Sequence, residues 1–264
     1  MPADSVIILF IILGLISGLL GGLLGLGGGV VTVPVLYFIF LYTGTFEEKI
    51  MQVAVSTSLA AGVVNSGLST YFQHQKKAIL FNVFRLLIPG LVIGCVGGSV
   101  LAHYLPSQML SKIFGVMAVV LGTYFFFPRL PNLKLSNAPN RTLSLFGLGI
   151  GVLSSLLGIG GGSLTFPVLL GYQVPVQNSS ATSSVSTLMT TLIGSVTYLV
   201  IAWHMPELPA TFGYIEIPAF IAISLGSLLT VGLGVKLSHA MKVAPIKRLF
   251  GCCLALIGLS MLFI

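Results

Sequence analysis

Charge is missing from most of this chain, and its absence has a pattern. From Ser5 to Phe46, and again from Thr142 to Pro206, there is no Asp, Glu, Lys or Arg. Further charge-free runs separate Arg85 from Lys112 and Lys112 from Arg129, and the sixteen residues after Arg248 carry none. A helix that crosses a bilayer needs about 20 predominantly apolar residues. These runs supply that length several times over. Only 6% of the residues are charged and 56% are hydrophobic, where a soluble domain carries roughly a quarter charged. A soluble fold of this composition would expose aggregating apolar patches. The expected fold is therefore an all-α polytopic membrane protein with about 8–10 membrane segments.

The remaining charges sit at the ends of the apolar runs. Lys76, Lys77 and Arg85 flank one loop, Arg129, Lys134 and Arg141 lie on or beside a second, and Lys236, Lys242, Lys247 and Arg248 surround a third. Positive loops mark the cytoplasmic face of a membrane protein. That placement accounts for the net charge of +7 without nucleic acid, for which no basic and aromatic stripe is present. The N-terminal MPADSVIILF has no basic leader and reads as the first membrane segment rather than a removable signal. The expected location is the plasma membrane, crossed several times. Cys95, Cys252 and Cys253 lie in apolar runs without metal or redox spacing, and no cofactor, metal or catalytic residue is expected.

The chain repeats itself. Residues 14–36 match residues 147–169 at 14 of 23 positions without a gap. The shared pattern is G-x-G-G-G-x-x-T-x-P: Gly25, Gly27, Gly28, Gly29, Thr32 and Pro34 against Gly158, Gly160, Gly161, Gly162, Thr165 and Pro167. A weaker correspondence sets Ala54–Ser58 against Ala181–Val185. The expected organisation is a first transmembrane repeat at 1–130, a linker at 131–141 within the Pro- and Asn-rich run 128–141, and a second repeat at 142–264.

Each half divides into five apolar segments, and the second of each is short: 30–42 and 163–172. Ten helical residues rise only about 15 Å, against a hydrocarbon core of about 30 Å. These segments read as half-helices that start at the glycine triplets. If the short segments each change side, or each folds back on its predecessor as a hairpin, all three basic loops fall on one face and the repeats are inverted. If only one of each such pair crosses, the repeats are parallel and the basic loops split across the membrane, so the inverted arrangement is preferred. Glu47, Glu48, Glu207 and Glu216 then fall on the other face. Inverted repeats with broken helices are a recurring transporter architecture, with the substrate site near the midplane.

Contiguous glycines disfavour helix. Broken backbone at membrane depth is tolerated only inside protein or beside a cavity. A half-helix that begins at such a break presents free N–H groups and a positive dipole end, which together suit an anion. The candidate substrate-binding positions are Gly27, Gly28, Gly29, Val30 and Thr32 in the first half, with Gly160, Gly161, Gly162, Ser163 and Thr165 in the second. Helix packing alone explains Gly14, Gly18 and Gly22 but not contiguous triplets. Hydroxyl clusters follow each break, and Ser56, Thr57, Ser58, Ser183, Ser184 and Ser186 join the candidates because hydroxyls bind oxyanions without burying charge. The alternative role for such hydroxyls is bonding to carbonyls of their own or neighbouring helices. Pro34 and Pro167 are structural. His74, His103, His204 and His239 lie near segment ends, where interfacial placement or proton coupling both account for them.

The duplicated glycine motif, each copy followed by an Ala and Ser/Thr segment, resembles the sulfite exporter TauE/SafE family of membrane permeases over nearly the whole chain. The resemblance implies movement of a small sulfur-containing anion such as sulfite, thiosulfate, a sulfonate or a similar organic anion. Its partners are then the lipid bilayer, the small anion and a coupling ion, proton or sodium. The second half departs from the family's Gly-Thr-Ser pattern with Thr182-Ser183-Ser184-Val185. The competing functions are a membrane-embedded enzyme acting through the cysteines and a non-transporting scaffold subunit.

Overall fold

The computed structural model describes residues 3–46, 48–127, 140–203, 210–240 and 244–263. Its helices are α1 (Ala3–Leu24), α2 (Gly29–Thr43), α3 (Ile50–Gln75), α4 (Phe81–Tyr104), α5 (Ser107–Phe126), α6 (Asn140–Leu157), α7 (Gly162–Gly171), α8 (Val176–Ala202), α9 (Ile217–Ala240) and α10 (Ala244–Leu262). A short antiparallel hairpin, β1 (Thr211–Phe212) and β2 (Ile215–Glu216), precedes α9. Among the described residues, α4, α5, α8, α9 and α1 from Ser5 are long and apolar enough to cross a membrane. At 26 residues α3 has the length too, but it is more polar. The short second segments are helices of 15 and 10 residues. The chain is an all-α polytopic membrane protein; Glu47 and the expectations at residues 128–139, 204–209 and 241–243 lie outside the described residues.

Glycine sets the helix pairing. Gly14, Gly18 and Gly22 of α1 back onto Ile223, Ser227 and Val231 of α9, and Gly234 backs onto Leu19. Position rises together on both helices, so the two run parallel. In the same way Gly90, Gly94 and Gly98 of α4 meet Ser144, Leu148 and Val152 of α6. Gly115 and Gly122 of α5 meet Gly258 and Gly251 of α10, antiparallel. At each place a Cβ would strike the neighbour's backbone. Small residues of this kind let membrane helices approach closely enough for dispersion contacts to hold them.

The short helices double back. Leu9 shares a groove with Phe38 and Ile39, and Ile16 and Leu20 share one with Val31, so α2 returns along α1. The Phe146 and Tyr172 rings lie 6.4 Å apart, so α7 returns along α6. The remaining helix ends gather at two opposite ends of the bundle. At one, the Gln52 side-chain amide donates to the Leu105 carbonyl, the Met51 amide donates to the Ser107 hydroxyl, and His103 meets Tyr214. At the other, the Leu80 amide donates to Thr182 and His239 meets Gln73. Glu48 and Glu216 belong to the first end, and Lys76, Lys77 and Lys236 to the second.

Candidate functional site

Two helices run antiparallel through the centre, α3 and α8, tied by Ser69 to Ser184 at 3.1 Å and Ser66 to Thr191 at 3.4 Å. Each bears a buried polar stripe at helical spacing. On α3 it comprises Ser58, Asn65, Ser66, Ser69 and Gln73; on α8 it includes Ser180, Ser184, Thr187 and Thr191. Both glycine breaks meet the middle of these stripes.

The breaks are left-handed turns. Gly25, Gly27 and Gly28 have φ of 70°, 74° and 78°, and Gly158 and Gly160 have 70° and 68°. Residues with a Cβ avoid that region, so glycine is required there. The second loop differs at its third glycine, since Gly161 is right-handed with φ −61°. The loops then cross reciprocally. A Cβ on Gly29, the first residue of α2, would strike the Gly158 carbonyl oxygen, and one on Gly162, the first residue of α7, would strike the Gly25 carbonyl oxygen. Each half-helix start is seated against a carbonyl of the opposite loop.

Hydroxyls hold those carbonyls. Ser58 donates to the Gly158 carbonyl at 3.0 Å, and Thr187 lies 3.0 Å from that of Gly25. The structure thus gives Ser58 the role that Thr187 plays in α8, rather than matching it with Val185 as the sequence comparison does. Thr187 does more than Ser58. It accepts the Gly162 amide at 2.8 Å, and its single proton is shared between the Gly25 carbonyl and its own Ser183 carbonyl at 2.9 Å. Thr190 accepts the Gly161 amide at 2.7 Å. The start of α7 is therefore capped by α8. The start of α2 has no side-chain cap, and among the described residues the amides of Gly28, Gly29 and Val30 have no hydrogen-bond acceptor. Asn65 crosses behind this loop, donating to the Ser17 and Gly27 carbonyls at 3.0 and 3.2 Å.

The other candidates divide. Thr32 bonds to the Gly28 carbonyl at 3.1 Å and Ser163 to that of Ile159 at 3.0 Å, which closes the first turn of each half-helix. Ser184 faces Gly25. Thr165 and Ser183 are fully buried hydroxyls without a partner among the described residues. Val30 is buried against Phe114, Leu157 and Ile159. Ser186 bonds back to Thr182 in its own helix. Ser56 and Thr57 point to the β-hairpin, where Ser56 donates to the Tyr214 carbonyl and Thr57 accepts the Glu216 amide. Pro34 and Pro167 each lie inside their short helix. Among the described residues Glu216 is the one charged side chain that is buried, so polar neutral groups and backbone line the crossing.

A family model described as sulfite exporter TauE/SafE matches residues 10–261. The chain belongs to the sulfite exporter TauE/SafE family. It is similar to a probable membrane transporter protein of Haemophilus influenzae, 27% identical over 243 residues and 90% of each chain. It is also similar to one of Methanocaldococcus jannaschii, 29% identical over 241 residues, 90% of this chain and 88% of that one. A third, from Bacillus subtilis, is 26% identical over 260 residues, 90% and 91% of the two chains. No solved structure matches. Membership makes this chain a membrane transporter rather than an enzyme. Within this TauE/SafE chain the site also takes in Asn65, Thr187, Thr190 and Thr191, of which Thr187 belongs to the hydroxyl cluster visible in the sequence but none is among the expected substrate-binding positions. Their signal was the i, i+3, i+4 spacing of polar residues in an apolar segment, which marks one helix face.

Proposed function

We propose that this transporter moves a small sulfur-containing anion, such as sulfite, thiosulfate, a sulfonate or a similar organic anion, through the crossing of its two glycine loops. The observation that carries the reading is the reciprocal seating of each half-helix start on a carbonyl of the other loop. A carbonyl oxygen is a neutral analogue of an oxyanion oxygen, and a helix start attracts either. The crossing then represents a closed state in which a carbonyl of the opposite loop lies against each half-helix start. In it the amides of Gly28, Gly29 and Val30 have no acceptor among the described residues, and those of Gly161 and Gly162 are held by Thr190 and Thr187. Separation of the loops exposes the amides of Gly28, Gly29 and Val30 on one side. On the other it exposes those of Gly161 and Gly162, with Thr187 and Thr190 ready to turn toward the anion. Hydroxyls and amides bind an anion without the permanent buried cation that would hold it too tightly to release.

In this reading, 1–130 and 142–264 act as inverted repeats joined by 131–141, and rock about the loops to open alternate faces. The parallel pairs α1 with α9 and α4 with α6 exchange under such a two-fold relation, and the pairs α3 with α8 and α5 with α10 map onto themselves. The substrate class leans on the family's description. A thermal-shift titration of the purified protein against sulfite, thiosulfate, sulfate, short sulfonates and carboxylates tests it, because a ligand of the folded state raises stability with concentration. A selective shift with a sulfur anion supports the reading. A monodisperse protein that responds to none of them, or to carboxylates alone, contradicts it.

A further inference from the structure

Glu216 stands apart from every other acid in the described structure. It is 9% exposed, and no Lys or Arg among the described residues stabilises its charge. Its carboxylate accepts the Ala219 amide at the start of α9, and its own amide donates to the Thr57 hydroxyl at 2.9 Å. The preceding hairpin closes over the end of α3, where the Ser56 hydroxyl donates to the Tyr214 carbonyl. Ser58, which follows Thr57 on α3, holds the Gly158 carbonyl of the second glycine loop. Three consecutive α3 hydroxyls thus tie the hairpin, the buried acid and the loop crossing together. The titratable groups around Glu216 are Tyr214 on the hairpin, with its hydroxyl 3.1 Å from His103 of α4, and Tyr198 of α8, whose ring is 6.3 Å from that of Tyr214. Lys49, ahead of α3, lies near His103. His204 and Glu207 lie outside the described residues.

We propose that Glu216 is the proton-binding site of this transporter and that its protonation closes the hairpin over α3. An ionised carboxylate buried without a cation is strongly disfavoured and draws water to itself. The neutral acid suits the closed hairpin; the carboxylate favours one lifted toward solvent. Lifting it pulls on Tyr214 and Glu216, and so on Ser56 and Thr57, next to the residue that fixes the second loop. Release of the proton to the hairpin's face is in this way linked to the opening of the crossing, and its uptake to the closing. The coupling to an anion rests on the function proposed above; the proton site does not. Ionisable groups within a membrane protein commonly serve such relays.

Glu216→Gln keeps an oxygen to accept the Ala219 amide and removes only the titration, and Glu216→Asp restores an acid. Two measurements on the reconstituted full chain separate the claims. Infrared difference spectra across pH are expected to show a protonated-carboxyl band that titrates above the ordinary carboxylate range, is lost in Glu216→Gln and returns in Glu216→Asp. Proteoliposomes with an internal pH dye, given thiosulfate or sulfite, are expected to show proton flux with the anion. Glu216→Gln should lose that flux and retain anion exchange. A wild-type protein without the band, or a Glu216→Gln protein that keeps it, overturns the proton site. Proton-coupled accumulation unchanged in Glu216→Gln overturns its role in coupling. A band that behaves as expected in a protein that moves neither anion upholds the proton site and counts against the substrate class.

Discussion

Thr187 makes three of the contacts that hold the crossing together, and its chemistry sets what a substitution does there. Its hydroxyl accepts from Gly162 and lies within bonding distance of two carbonyls, while its methyl carbon packs against Gly27 and Gly160. Thr187→Val keeps the shape and strands the Gly162 amide. A buried polar group left unpaired costs about 1–3 kcal/mol. Thr187→Val is therefore expected to lower the unfolding temperature in detergent, with Thr187→Ser close to wild type. Little of this was legible in sequence. The hydroxyl clusters were visible, but Ser186 and Thr187 are adjacent and read alike. Only the helix phase, fixed by how α8 packs on α3, sends Thr187 to the loops and Ser186 to its own backbone. The glycines were legible, because a run of them admits few structures at membrane depth besides a break.

The elements show which glycines carry packing. In α4, a Cβ on Gly90 would strike the Ser144 carbonyl of α6, whereas one on Gly97 meets nothing within 4 Å. Gly90→Val is expected to force α4 and α6 apart at about 1–3 kcal/mol, the usual cost of overpacking. Gly97→Ala should leave stability unchanged or raise it by up to about 1 kcal/mol through helix propensity. Unfolding of both variants in the same detergent distinguishes them. The shortness of α2 and α7 followed from the length of their apolar segments and the glycine runs at their starts. Their partners did not, since nothing local in α1 names α9 as its neighbour. The hairpin before α9 was invisible as well, being two short strands set by contact with α3. Burial there holds the Glu216 carboxyl above the usual carboxylate range, with the Ala219 amide partly opposing. The folded protein keeps that proton to higher pH than the unfolded chain does. Its contribution to stability is full below the usual carboxylate pKa and is lost as pH rises through the raised value. Glu216→Gln should therefore gain unfolding temperature relative to wild type as pH rises from about 4 toward neutrality.

Across the whole molecule, charge and hydropathy were enough to give a polytopic helical membrane protein, and the family match agrees with it. The sequence could not give the crossing of the loops, because the two breaks meet only after α3 and α8 have packed between them. In the function proposed above, anions pass where Gly162 rests on the Gly25 carbonyl. A methyl group there blocks the seat, whereas one at Gly149 of α6 meets nothing within 4 Å. The most direct test is radiolabelled thiosulfate and sulfite flux into proteoliposomes holding wild type, Gly162→Ala or Gly149→Ala, each verified as folded. Saturable flux is expected from wild type and Gly149→Ala, and none above empty liposomes from Gly162→Ala. Equal flux from Gly162→Ala and wild type, or none from wild type, would contradict that function.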